Sequence, residues 1–360
     1  MRNSAFRKLL SATLLLPMLS GCELLRAPQP EVAPPAPVYE PPIVSDRFLL
    51  DSAEQRVVGE LQVINARAED TFVDIARAYS LGFDELVEAN PKVDPWLPGE
   101  GTPVVLPTRF ILPDVPHEGI VINIAAKRLF YFIAPAAADE PAAVVTFPIG
   151  IGREGSATPV GRTTVTGKGR NPVWFPPASI RREYAAAGTP LPAQVPPGPD
   201  NPLGKHVLLL GMPSYLIHGT NRPAGVGMRV SHGCVRLFPE NIEHLFAIVP
   251  VGTSVTITNE PWLVAWHEGQ LLLEAHTPLS DDDRDWMARL DDLLAAELPA
   301  DLTVAAVDTE LAAAVAAAAT GMPLAVSPGG REPAAVVAES RRVNNLAEPL
   351  VTELALTAAD

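Results

Sequence analysis

Residues 218–237 read "HGTNRPAGVGMRVSHGCVRL", and this stretch decides more about the chain than any other. Cys234 sits two residues after His232 and sixteen after His218. Cysteine catalysis needs a thiolate, a base to generate it, and donors for the resulting oxyanion. A free thiol with a pKa near 8.5 is mostly protonated at neutral pH, so a neighbouring imidazole or guanidinium must lower that value. Two imidazoles compete for the role: His218, ending the apolar run "YLIH", and His232, beside the sulfur. Gly233 can adopt φ > 0 and lets a substrate approach the backbone closely. The Gly233 and Cys234 amides then become the expected oxyanion donors. A zinc site from His218, His232 and Cys234 is the competing reading, but no fourth ligand is evident and the spacing fits no zinc signature. No metal and no cofactor is expected. His117, His206, His244, His267 and His276 lack comparable company and read as ordinary surface or core histidines.

The chain holds one other cysteine, Cys22. "MRNSAFRK" is a positive n-region, and the apolar run "LLSATLLLPML" after it is too short to span a bilayer as a mature anchor. It ends in "LSGC", Leu19 to Cys22, which resembles a bacterial lipobox. The resemblance implies a lipoprotein signal peptide over residues 1–21, acyl chains on Cys22, and a periplasmic protein anchored by lipid to a membrane. Glu23 rather than Asp after the cysteine favours the outer over the inner membrane. An ordinary cleaved signal peptide is the alternative. With Cys22 acylated, Cys234 has no disulfide partner in an oxidising compartment. A lone thiol flanked by His232 and Arg236 then reads as a working group.

At 360 residues and 47% hydrophobic, the chain has room for two or three domains. A formal charge of −15 argues against nucleic-acid binding, since no basic stripe is present to neutralise phosphates. "RAPQPEVAPPAPVYEPP" reads as a semi-rigid tether over residues 22–56. "VVGELQVINA" reads as a strand, "EDTFVDIARAYSLGFDELVEANP" as two short helices with Asp70 or Thr71 as N-cap, and "PVVLP" as a strand. This order over about residues 57–112 resembles a LysM module, with Glu69 where that family usually has Gly. The resemblance implies affinity for N-acetylglucosamine polymers, or a helper domain that has lost it.

From Gly119 the pattern is β, with strands at "GIVINIAAKRLFYFI", "AAVVTFPIGIG", "TTVTGK", "HVLLLG", "YLIHG" and "GTSVTIT", and a helix at "NIEHLFAIV". Residues 171–205 are too rich in Pro and Gly for regular elements and read as a lid or cleft wall. "WLVAWHEGQLLLEAH" reads as a hairpin turning at Glu268-Gly269. "SDDDRDWMARLDDLLAAEL" reads as a helix capped by Ser280 and Asp283, and "VDTELAAAVAAAAT" as a second. Beyond Pro328 the sequence suggests disorder.

The constellation of His218, Gly219, Ser231, His232, Gly233, Cys234 and Arg236, with "TPVG" at 158–161 and "PPGPDNPLG" at 196–204, resembles the L,D-transpeptidase family with its YkuD-type catalytic domain. The resemblance implies a mostly β catalytic domain over 117–259, a YkuD-type β-sandwich with short helices. With it come the small α+β LysM-like domain, a C-terminal extension of hairpin and helices over 260–327, and a disordered tail over 328–360. That extension resembles members that attach lipoproteins to peptidoglycan. By the same resemblance Cys234 is the nucleophile and His218 the base, with the Gly219 carbonyl orienting its ring. His232 supports the site; Ser231 and Arg236 hold the pocket and the peptide's charged ends. Arg236 stands where the family often has Asn. The implied partners are peptidoglycan stem peptides and glycan, and the implied acceptor is a lipoprotein's terminal lysine or a second stem's diaminopimelate. Two alternatives remain open: hydrolysis with water as acceptor, and a non-catalytic wall-binding lipoprotein.

Overall fold

The computed structural model describes residues 46–135, 137, 140–299, 302–303 and 306–347. The signal segment, Cys22 and most of the tether lie outside the described residues, as do residues 348–360. Regular structure starts earlier than Val57. β1 (Arg47–Leu50) pairs antiparallel with a strand of the central sheet, so the last part of the expected tether is built into the fold.

Next come β2 (Val57–Gly59), β3 (Gln62–Asn65), α1 (Phe72–Ala78), α2 (Phe83–Ala89), β4 (Pro103–Leu106) and β5 (Arg109–Ile111). Thr71 caps α1 in a capping box with Asp74, satisfying two backbone donors that a helix start leaves open. The helix stops where Ser80 takes φ 52°. The Asn90 amide donates to the Leu86 and Val105 carbonyls and accepts from the Val105 N–H, stitching α2 to β4.

The central part comprises β6 (Gly119–Asn123), β7 (Arg128–Ile133), β8 (Ala142–Pro148), β9 (Ile151–Gly152), β10 (Gly161–Arg170), α3 (Ala178–Ala186), β11 (His206–Leu210), β12 (Leu216–His218), β13 (Arg229–Ser231), β14 (Val235–Arg236), α4 (Pro239–Ile248) and β15 (Ser254–Thr258). Nine strands form one sheet in the order β1-β8-β7-β6-β15-β10-β11-β12-β14, and β9 and β13 make a parallel pair beside it. Strands bury alternate residues on opposite faces. Ile120, Ile122, Leu129, Tyr131, Val145 and Phe147 enter a core shared with α4. Val121, Phe130, Phe132 and Val144 enter a second core shared with α1, α2 and β4. Covered on both sides, these strands read as unbroken apolar runs.

An ion pair fixes the second contact. Arg128 on β7 donates to both Glu85 carboxylate oxygens, at 2.7 and 2.8 Å, and also to Thr146 and the Ser80 carbonyl. Both side chains are buried, and the guanidinium stacks 4.1 Å from the Phe110 ring centre.

The last part contains β16 (Trp262–His267), β17 (Gln270–Ala275), α5 (Leu290–Ala296), α6 (Thr309–Ala318), β18 (Leu324–Ala325), α7 (Pro333–Glu339) and β19 (Arg341–Arg342). Glu268 and Gly269 both take positive φ, as a two-residue hairpin turn requires. Two expectations fail here. The helix after Ser280 is shorter than its sequence suggests, because Ser280 and Asp281 bind Arg229, and Asp282 binds Arg284 and the Trp286 indole. The described residues after Pro328, 329–347, are also ordered. β19 pairs parallel with β3, Val343 and Ala347 are fully buried, and Asn345 donates to Asp70. Its order comes from docking on a neighbouring module, which local composition does not report.

His276, after β17, lies between Glu88 of α2 and Glu274. Burial alone would lower its pKa, but hydrogen bonds and charge from the two carboxylates win and raise it to about 9. A folded-state pKa above the unfolded value near 6.5 gives stability that is complete below about 6.5 and lost as pH rises through 9. Thermal melts should therefore show a falling midpoint across that window, and His276→Gln should flatten it. Glu85→Ala strands a buried cation and should cost about 3–5 kcal/mol in denaturant unfolding.

Candidate active site

The two strands carrying the candidate residues lie side by side. β12 and β14 pair in parallel, with Ile217 opposite Val235 and His218 opposite Arg236. Cys234 immediately precedes β14, and residues two apart on a strand share a face, so the sulfur lies on the side of Arg236. The other edge of β14 is bridged by Gly150, through Gly150 N–H to Arg236 O and Arg236 N–H to Gly150 O.

His218 is buried, and its Nδ1 lies 2.6 Å from the Gly219 carbonyl. A carbonyl only accepts, so Nδ1 carries the proton and Nε2 presents a lone pair. Burial and then the Arg236 cation lower its pKa to about 4, against the smaller opposing pull of the Gly219 carbonyl. At neutral pH this imidazole is uncharged and basic at Nε2.

The sulfur differs from the sequence reading. Burial pushes the Cys234 thiol up, and a hydrogen bond from the Leu216 backbone and the Arg236 charge only partly offset it. The thiol donates to the Ser214 carbonyl at 3.6 Å, from a residue held at φ 71°. The resting pair is thus neutral thiol and neutral imidazole, not the standing thiolate expected from the sequence.

The turn before Cys234 is clamped. Gly233 takes φ 109°, and a Cβ there would lie 2.8 Å from the Tyr215 ring, so no other residue fits. Its N–H donates to Ser231 Oγ at 3.1 Å, while Ser231 Oγ donates to the Cys234 carbonyl at 2.6 Å. The Gly233 amide, expected to face an oxyanion, is therefore spent within the turn, which leaves the Cys234 amide of the expected pair. Ser231 is buried and shapes this turn. Thr158 adds a second clamp, donating to the Gly233 carbonyl and accepting from Gly152 N–H.

His232 engages a different partner. Its Nε2 lies 3.1 Å from Glu183 Oε2 on α3, and Arg153 binds the same oxygen at 2.5 Å. The 171–205 excursion, expected to lack regular elements, thus contains a helix pinned by one carboxylate. At its base, Trp174 and Val195 exchange backbone bonds, and the buried Asn201 donates to the Pro172 carbonyl. Gly204 returns the chain against Gly219 and Thr220, next to His218. Thr158 and Asn201 lie in the "TPVG" and "PDNPLG" signals, whereas nothing local in the sequence marks Glu183, Arg153, Ser214 or Tyr215. Among the described residues no cluster of three or more His, Cys, Asp or Glu side chains could hold a metal.

Residues 117–257 match the YkuD family, the L,D-transpeptidase catalytic domain. The probable L,D-transpeptidase YcfS of Escherichia coli K12 is 41% identical over 291 residues, 79% of this chain and 89% of that protein. This chain belongs to the L,D-transpeptidase family. Its similarity to the probable L,D-transpeptidase YbiS of the same strain is 47% over 237 residues, 65% of this chain and 76% of that one. A solved L,D-transpeptidase from Mycobacterium tuberculosis H37Rv aligns at 18% identity with a TM-score of 0.28, over 45% of this chain and 64% of that one.

Iodoacetamide alkylation of Cys234 should rise through the alkaline range, with a midpoint above that of a free thiol. Arg236→Gln should move this midpoint further up by removing the nearby cation. A plateau reached below pH 8 would contradict these electrostatics.

Proposed function

We propose that the protein is a peptidoglycan L,D-transpeptidase working through Cys234, with His218 as base. The observation that supports this reading is the His218 tautomer, locked by the Gly219 carbonyl on a strand paired with β14, which Cys234 immediately precedes. As Sγ attacks the carbonyl at the L-centre of the third stem residue, its proton passes to His218 Nε2. The carbonyl oxygen takes up negative charge near the Cys234 amide. Collapse breaks the amide bond, and the departing D-Ala nitrogen takes the proton from His218. A thioester remains, and an amine that loses its proton to His218 displaces the sulfur. The energy of the broken amide passes through the thioester into the new one, so no nucleotide is consumed. Arg236 binds the peptide's charge, and His232 with Glu183 holds α3 beside the cleft.

The preferred acceptor is the terminal lysine of an outer-membrane lipoprotein, a reading supported by the hairpin and helices after residue 260. A second stem's diaminopimelate would give a 3→3 cross-link instead. The strand–helix–helix–strand order from β3 to β4 supports reading this unit as a LysM-like module, either glycan-binding or a helper domain that has lost that binding. Lipid on Cys22 would hold the enzyme in the periplasm, at the outer membrane.

Incubating the detergent-solubilised full chain with tetrapeptide muropeptides, with and without a lysine-ended lipoprotein peptide, and reading products by mass tests this. Peptide conjugates are expected; stem dimers point to cross-linking and plain tripeptides to hydrolysis. Cys234→Ala should lower product formation by about a thousandfold or more. A Cys234→Ala variant as active as the parent would end the mechanism.

A further inference from the structure

The amino-terminal module meets the catalytic loops through the turn between its two helices. Here the chain runs Tyr79-Ser80-Leu81-Gly82, and Ser80 takes φ 52° to make the bend. The turn faces the crossover that carries the chain from β12 to β14. That crossover is exposed at Asn221, Arg222 and Ala224 but buried at Val226 and Gly227, where the module covers it. The two backbones touch with no side chain between them. A Cβ on Gly82 would lie 2.8 Å from Gly227 Cα, and one on Gly227 would lie 2.4 Å from Phe83 N. The Phe83 N–H donates to the Val226 carbonyl at 3.4 Å. A side chain at either glycine must push the crossover away.

Two routes lead from this seam to the reacting groups. The first runs along the crossover. The Met228 carbonyl accepts from the Ile151 N–H, and a Cβ on Gly150 would lie 2.9 Å from the Gly225 carbonyl oxygen. Gly150 in turn exchanges both backbone bonds with Arg236, two residues beyond the sulfur. The second route runs through α4. Ser80 Oγ accepts from the Asn241 amide at 3.4 Å, and Arg77 binds the Glu240 carboxylate at 2.9 and 3.2 Å. The next residue, Ile242, packs on Gly219, where a Cβ would lie 3.0 Å from Ile242 Cγ2. Gly219 supplies the carbonyl that sets the His218 tautomer. Short chains of contact thus join the turn both to the strand after Cys234 and to the imidazole.

We propose that Gly82 and Gly227 are positioning residues for the Cys234–His218 pair, their backbone contact making the amino-terminal module a structural part of the catalytic site. The role rests on the reading of Cys234 and His218 as the reacting pair. A displacement of about 1 Å, even far from the chemistry, can cost about a hundredfold in rate. Bare backbone passes such a displacement on, because the seam holds no flexible side chain to absorb it.

The test uses the detergent-solubilised full chain and three variants. Gly82 has φ −86°, open to any residue, so Gly82→Ala adds a contact without backbone strain. Gly227 has φ 84°, so Gly227→Ala adds both. Ile75→Val trims the module's core away from the seam and reports what a plain loss of stability does. Thioester formation with a tetrapeptide donor is followed by intact mass, well below each melting temperature. The limiting rate at saturating donor should fall about tenfold in Gly82→Ala and further in Gly227→Ala, with the half-saturating concentration changed less than about twofold. Ile75→Val should match the wild type.

If Gly227→Ala does not fold, Gly82→Ala decides. Wild-type limiting rates in the glycine variants overturn the proposal, as does a loss no larger than Ile75→Val shows for the same drop in melting temperature. A wild type that acylates on no stem donor ends the transpeptidase reading instead, and the seam is then judged by iodoacetamide alkylation of Cys234. Burial raises the thiol pKa, so a displaced crossover that admits water should bring the alkylation midpoint down in both glycine variants and leave Ile75→Val unmoved. Midpoints equal to the wild type's overturn the positioning role.

Discussion

The geometry of the candidate site depends on the parallel pairing of two very short strands, β12 and β14. Parallel neighbours need a crossover of about a dozen residues or more between them. The 219–234 segment supplies it, and its return places the sulfur alongside the imidazole strand. Only two residue pairs define the register, so the pairing cannot hold by itself. Gly150 bridges the outer edge of β14, and Ser231 and Thr158 clamp the turn. The buried Val235 and Leu237 anchor the chain on the far side of the sulfur. A slip of one residue would turn Cys234 to the opposite face.

The crossover is also held from outside the catalytic domain. Gly227 packs backbone to backbone against Gly82 at the start of α2, so close that a Cβ on Gly227 would lie 2.3 Å from the Gly82 Cα. Arg77 of α1 reaches Glu240 on α4, and Glu85 reaches Arg128 on β7. The amino-terminal module thus shares a core with the catalytic sheet and supports the loop that carries Arg222.

Strong local signals in the sequence correspond to elements the structure contains. Thr71 caps α1, Glu268-Gly269 turns the hairpin, and Ile242, Leu245, Phe246 and Val249 face the core from α4 and its end. The misses share a cause, which is dependence on distant residues. Ser280 looks like a helix cap until Arg229 claims it, and residues 341–347 look unstructured until β3 offers an edge. The α3 helix buries no side chain of its own, so its stretch has no apolar stripe to read. Cys234 and His218 stood out by residue type and spacing, but their charge states did not. Those arise from burial, which pushes the thiol up and the imidazole down.

The shared core has a mechanical consequence. A module hung on a flexible linker offers its ligand to the active site at an effective concentration set by chain statistics. Here β19 closes onto β3 from the far end of the chain, while Glu85 bolts α2 to the sheet. The amino-terminal module is therefore held at a fixed span and angle from sulfur 234. The arrangement works as a ruler rather than a leash.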